Sequence, residues 1–175
     1  MILFETPRLL VRQLLHSDAD ALFRICSDPV VMRWIGNGTP FTHEKCVESI
    51  EICLSNYQIK GFGASAVVAK DTGELVGCCG ILYEPDRGEP EIIYGFGQRW
   101  WKQGYASEIV PAMLAYGLNR CGLRRVLANI EPENLASQRV AQKAGMVFEG
   151  EKLNTGGFSI CVYSFESNIP ASLTV

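Results

Sequence analysis

Residues 91–108 read EIIYGFGQRWWKQGYASE, and their types and order suit the holding of an anionic ligand. The apolar run 91–96 has the length and composition of a buried strand. A polar and aromatic loop, 97–104, follows it. Residues 105–120 then show helical spacing, with Ile109, Val110, Met113, Leu114 and Leu118 on one face. The first N–H groups of a helix lack partners within it, and they attract phosphate. Gly104 at the helix entry lets an anion approach the main chain closely. Ala106 and Ser107 are too small to block that approach, and Lys102 adds a positive charge. Two nucleotide-binding patterns are excluded. Gly95-Phe96-Gly97 opens like a dinucleotide fingerprint, but Trp100 stands where the third glycine belongs, and no G-x-x-x-x-G-K-[ST] loop occurs. The segment reads as a pyrophosphate cradle of another kind.

The elements around it follow from periodicity and punctuation. Residues 8–14 alternate as a strand. Ser17 reads as the N-cap of a helix, with Asp20 completing a capping box, and Asp28-Pro29 ends that helix. Thr42 caps a second helix carrying Val47, Ile50, Leu54 and Tyr57 at helical spacing, and glycines at 61 and 63 break it. Strands 64–69 and 75–83 form a hairpin about residues 71–73, and 85–90 is a second turn. A strand at 125–130 leads through 132–134 into a helix that Gly145 ends. Strands 146–153 and 158–166 make a last hairpin about 154–157. Hairpins mix with helix crossovers, so the expected fold is α+β: a mixed sheet of about seven strands with helices on both faces. One domain, 1–166, with a tail at 167–175, is expected.

Composition narrows the function classes. The chain has 175 residues, a net charge of −3 and 47% apolar residues. Nucleic-acid binders carry a basic excess, and no basic stripe occurs here. No apolar run approaches the roughly 20 residues that cross a bilayer, and residues 1–7 lack a signal-peptide layout. Seven cysteines, none in C-x-x-C spacing, and only two histidines argue against a metal site. They read as buried, reduced thiols of a cytoplasmic protein.

The segment Trp101-Lys102-Gln103-Gly104-Tyr105-Ala106 resembles a motif of the GCN5-related N-acetyltransferases (GNAT), in the branch of the ribosomal-protein N-terminal acetyltransferases. A second block, Asn134 with Ser137 three residues later and then Lys143-Ala144-Gly145-Met146, is similar to that branch, with Met146 in place of its usual phenylalanine. The opening Thr6-Pro7-Arg8-Leu9 is a third point of likeness. The resemblance runs from Glu5 to about Phe165.

The resemblance implies the three-layer GNAT fold with a mostly antiparallel sheet, acetyl-CoA as co-substrate, and direct attack by an amine. Gly95, Phe96 and Gly97 would bond the pantetheine arm. Lys102, Gln103, Gly104, Tyr105, Ala106 and Ser107 would receive the pyrophosphate. An amide at Tyr94 or Gly95 would polarise the thioester carbonyl. Asn134 would anchor the arm, or serve as a helix N-cap, or both. Ser137 would protonate the leaving thiolate, because the tyrosine that does so in the wider family is Ala141 here. Glu91 at the head of the strand is a candidate base; a solvated turn residue is the competing account. The acceptor is an amine, peptidic or small. An acyl-CoA-binding regulatory module of the same fold is the alternative. An exposed edge strand near the C-terminus keeps both monomer and homodimer open.

Overall fold

The computed structural model describes residues 1–83, 88–154 and 156–167. The elements are β1 (Ile2–Glu5), β2 (Leu9–Gln13), α1 (Ala19–Cys26), α2 (Pro29–Met32), α3 (His43–Lys60), β3 (Ala64–Ala69), β4 (Leu75–Leu82), β5 (Glu91–Phe96), α4 (Tyr105–Arg120), β6 (Arg125–Ile130), α5 (Leu135–Lys143), β7 (Val147–Leu153) and β8 (Ser159–Glu166). The eight strands form one sheet in the order β1-β2-β3-β4-β5-β6-β8-β7. All neighbours are antiparallel except β5 and β6. This is the expected mixed, mostly antiparallel sheet. The expected tail lies outside the described residues beyond Ser167, as do residues 85–87 of the turn expected at 85–90.

Helices cover both faces. On one, Ile109, Val110, Met113 and Leu114 of α4 and Ala141 of α5 bury against Val76, Ile92, Phe96, Val126 and Ala128. On the other, Leu22 of α1 and Ile50 of α3 pack over Ala64 and Ala66. A strand covered on both faces turns both of its sides inward. Cys79 therefore packs in the first cluster and Cys78 against the second. All seven cysteines are free.

Three local readings are corrected. An eighth strand, β1, pairs with β2 across the Thr6-Pro7 corner through a bulge near Ile2. Four residues beside a proline are too few to show a period. Ser17 is not the first cap: a 3-10 turn at His16–Asp18 precedes α1. Asp18 accepts from Leu15 N at 2.7 Å and takes Arg12 bidentately at 2.6 and 2.8 Å. A carboxylate can meet both demands, and a serine hydroxyl cannot. Asp28-Pro29 ends α1 and also starts α2, with Asp28 Oδ1 accepting from Val30 N at 2.9 Å and Pro29 at the first helical position. The Thr42 cap forms as expected, accepting from Lys45 N at 3.2 Å.

Candidate active site

Two main-chain bonds fix the orientation of β5. Gly97 N donates to Val76 O at 3.1 Å, toward β4, and Leu127 N donates to Pro90 O at 2.8 Å, from β6. Main-chain groups alternate in direction along a strand. Residues 92, 94 and 96 therefore aim their N–H and C=O toward β6, and 91, 93, 95 and 97 aim theirs toward β4. The parallel pairing of β5 with β6 is confined to Glu91 opposite Leu127. Beyond that point the strands part, and the N–H groups of Tyr94 and Phe96 face the gap.

The loop from Gly97 to Gly104 is tied down at several points. Residues 98–100 form a 3-10 turn. Trp101 Nε1 donates to Phe96 O at 2.6 Å, and Gln103 Nε2 donates to Arg99 O at 2.8 Å. Lys102 has φ 60°, left-handed and without the freedom of glycine. Such a residue costs about 1–2 kcal/mol, which the surrounding bonds must offset. Gly104 follows at φ 83° and is the N-cap of α4. The N–H groups of Tyr105, Ala106 and Ser107 precede the bond from Glu108 N to Gly104 O (3.0 Å) and carry no side-chain cap. They form the positive end of a 16-residue helix.

A cleft of about 440 Å³ joins these pieces. Its walls are 94–96 on β5, Trp100, Trp101 and Lys102, the start of α4 at 104–107, and Asn134, Ala136, Ser137 and Val140 of α5. Val31, Trp34 and Ile35 close the far side. Most of the expected residues thus meet in one place. Glu91, Gly97 and Gln103 are not among the lining residues. The Gly97 amide is committed to Val76, and the Gln103 side chain to Arg99.

Asn134 Oδ1 accepts from Ser137 N at 3.1 Å and so caps α5. Tyr94 Oη donates to Ser137 O at 3.3 Å. Burial pushes the Tyr94 phenol up to about 12, against a smaller opposing effect of the Ser137 hydrogen bond, and keeps it protonated. Glu91 Oε2 accepts from Asn129 Nδ2 of β6 at 2.9 Å. It projects from the face of the sheet opposite to Tyr94, because three residues separate them along the strand. Ala141 is 1% exposed in the core, and Tyr163 Oη is occupied by Gln138 Oε1 at 3.0 Å.

The sequence model of the GNAT acetyltransferase domain matches residues 8–147. The chain belongs to that family. This acetyltransferase is 33% identical over 167 residues to the uncharacterised N-acetyltransferase p20 of Bacillus licheniformis, covering 91% of this chain and 92% of the relative. A GNAT acetyltransferase structure from Bacillus anthracis superposes with a TM-score of 0.80 at 29% identity, covering 95% and 98% of the two chains. The fold is also that of RimL, a ribosomal L7/L12 N-terminal acetyltransferase solved with coenzyme A (TM-score 0.81, 18% identity, 95% and 98% coverage).

Val31, Trp34 and Ile35 carry no spacing signal of their own, because they come from a short helix and the turn after it. Trp100 stacks near Tyr105 (5.9 Å between centroids) and Trp101 anchors the loop, and both also line the cleft.

Proposed function

We propose that this acetyltransferase takes its acetyl group from acetyl-CoA and passes it directly to a primary amine, with donor and acceptor bound together. The observation that carries the reading is the gap between β5 and β6 running into the uncapped start of α4, with one cleft along both. The residues present suit the co-substrate. Gly104 and Lys102 both hold left-handed backbone, which turns the loop's amides toward the helix entry, and an anion there meets a helix terminus. When bound, acetyl-CoA supplies a thioester whose C–S bond breaks as the amine's N–C bond forms.

The chain's own groups do the rest. The N–H groups of Lys102 and of Gly104 through Ser107 hold phosphate oxygens, and the Lys102 side chain adds charge. Tyr94 N–H, aimed into the gap, donates to the developing oxyanion; such a donor lowers a barrier by about 3 kcal/mol. Asn134 sets the first turn of α5, so that Ser137 Oγ can donate a proton to the departing sulfur. Glu91, oriented by Asn129 and set back from the cleft lining, takes the amine proton through water. Val31, Trp34 and Ile35 exclude water from the acceptor side.

The test is a thermal-shift titration with acetyl-CoA, coenzyme A, NAD and ATP, because a ligand that binds only the native state raises the melting temperature by mass action. Shifts with the two coenzyme A ligands alone support the donor, and a screen of peptide and small-molecule amines for thiol release then tests the acceptor. No shift with either coenzyme A ligand refutes the reading.

A further inference from the structure

The Thr6-Pro7-Arg8-Leu9 corner lies about 100 residues before the cradle in sequence, yet its side chains end on it. Arg8 Nε donates to Glu108 Oε2 at 2.6 Å, and Arg8 Nη1 donates to the main-chain oxygen of Gln103 at 2.9 Å. Its guanidinium lies over the Tyr105 ring, 4.7 Å from the centroid. A Cβ placed on Gly104 would lie 3.4 Å from Arg8 Nη2. One side chain therefore touches four positions, 103, 104, 105 and 108, which span the last residues of the loop and the first turn of α4.

The base of that side chain is equally constrained. Arg8 N donates to Glu108 Oε1 at 2.9 Å, and Thr6 Oγ1 donates to the same oxygen at 2.6 Å. Arg8 O accepts from Lys70 N of the β3–β4 hairpin at 2.9 Å. Both main-chain groups of Arg8 are thus fixed, and the guanidinium is a rigid arm from the sheet edge. Glu108 is largely buried, its side chain 15% exposed against 48% for Arg8. Burial alone would raise its pKa, but the Thr6 and Arg8 bonds outweigh burial and keep it ionised.

The other long-range ties hold the first half of the loop, from Gly97 N to Val76 O at 3.1 Å, Gln98 Nε2 to Asp28 Oδ2 at 2.6 Å and Arg99 Nη2 to Glu74 Oε2 at 2.9 Å, while Trp101 and Gln103 bond only locally, to Phe96 and Arg99. The Arg8 link alone among the described contacts joins the loop to the β1–β2 corner. It acts on the carbonyl next to Gly104, in the turn where Lys102 and Gly104 are both left-handed. A planar, two-pronged donor can hold Gln103 O and Glu108 together in a way that a single ammonium cannot.

We infer that Arg8, backed by Glu108 and Thr6, is a positioning residue for the phosphate-binding end of the donor site. The inference rests on the proposed acetyl-CoA reading. It makes Arg8 important through the shape of the cradle, with its own charge largely answered by Glu108. A donor that carries no phosphates should be indifferent to it.

The experiment compares Arg8→Ala, Arg8→Lys and, as a control in the same corner, Lys70→Met. Lys70 Nζ donates to Thr6 O at 2.7 Å and pairs with Glu5 Oε2 at 2.7 Å, so its loss loosens the corner away from the cradle. For each protein the readouts are melting temperature, the acetyl-CoA dissociation constant by calorimetry, and turnover with acetyl-CoA and with S-acetylpantetheine. Arg8→Ala is expected to weaken acetyl-CoA binding about tenfold or more, as for loss of a charged hydrogen bond. Turnover at saturating acetyl-CoA and the rate with S-acetylpantetheine should stay within about twofold. Arg8→Lys should recover melting temperature more than affinity, and Lys70→Met should lower melting temperature without changing affinity. Equal losses with both donors, or an Arg8→Ala protein that melts lower but binds acetyl-CoA as the parent does, would overturn the inference while leaving the function intact. Absence of acetyl-CoA binding by the parent protein would overturn both. Should Arg8→Ala not fold, Arg8→Lys decides: affinity equal to the parent's refutes the positioning role.

Discussion

Tyr94 and Ser137 are joined across the cleft, the phenol of the strand donating to the main-chain oxygen of the helix residue at 3.3 Å. Tyr94 thus serves the site twice, with its N–H toward the β5–β6 gap and its hydroxyl on the first turn of α5. Tyr94→Phe keeps the amide and the ring and removes only the hydroxyl. Turnover should fall about three- to tenfold with acetyl-CoA affinity little changed, the effect of one neutral hydrogen bond worth about 1 kcal/mol. Steady-state kinetics beside calorimetry checks this; a loss confined to affinity would mean that the bond orders the binding surface only.

Ser137→Ala should lower turnover by more than it weakens acetyl-CoA binding. General acid catalysis contributes roughly 100-fold or more where it operates, so a loss of that order is expected. The α5 cap is untouched, because Asn134 Oδ1 bonds the main-chain N–H of Ser137 and not its side chain. Equal losses in both quantities would reduce Ser137 to a binding residue.

Gly104→Glu should abolish coenzyme binding, with Gly104→Ala as the control for backbone strain. At φ 83° any side chain costs about 1–2 kcal/mol, so both variants should melt lower by a similar amount. Only the glutamate adds bulk and negative charge at the phosphate site. Unchanged affinity in the glutamate variant would remove the cradle from its assigned place.

Gly95→Ala tests the acceptor side. The new Cβ would fall 2.5 Å from Ile35 Cδ1, the mobile end of a side chain, so Ile35 must shift. The acceptor KM should rise about tenfold, the order of one misfitting methyl group in an apolar pocket, with a smaller change in acetyl-CoA affinity. An unchanged acceptor KM would place the amine elsewhere.

Acid should expose the Arg12–Asp18 pair. Burial alone would raise the Asp18 pKa, but the Arg12 and Leu15 hydrogen bonds more than reverse it and hold it below the ordinary 3.8. A depressed carboxylate contributes stability that is complete above its unfolded pKa and fades as pH falls through the folded one. Denaturant unfolding between pH 6 and pH 2 should therefore show a loss below about pH 4 that Asp18→Asn lacks.

Much of this molecule can be read from its residues. The cradle was legible because Gly104, the small residues after it and the apolar period of α4 are contiguous. The caps at Thr42 and Asn134 were legible because capping is local chemistry. What escaped was non-local or too short to show a period. Arg8 and Glu108 are a hundred residues apart with no pattern linking them. Ile35 reaches Gly95 through a turn whose path depends on α2. The separation of β5 from β6 is a property of pairing, and nothing within either strand declares it. Glu91 reads as a carboxylate at a strand head, while its partner Asn129 emerges only from the parallel register.

The strand order also bears on how the chain becomes a protein at all. β6 meets β5 at a single register pair but lies against β8 over six, from Arg125 opposite Glu166 to Ile130 opposite Cys161. A nascent chain that has been synthesised through α5 therefore carries a β6 with almost nothing on either side. The wall of the cleft that α5 supplies gains its ties to Tyr163, through Gln138 and Gln142, when the last described strand emerges and slides between β6 and β7. Until then the exposed edge is open to pairing with other chains. Synthesis halted before Ser159 should yield aggregates in place of a smaller, weaker enzyme.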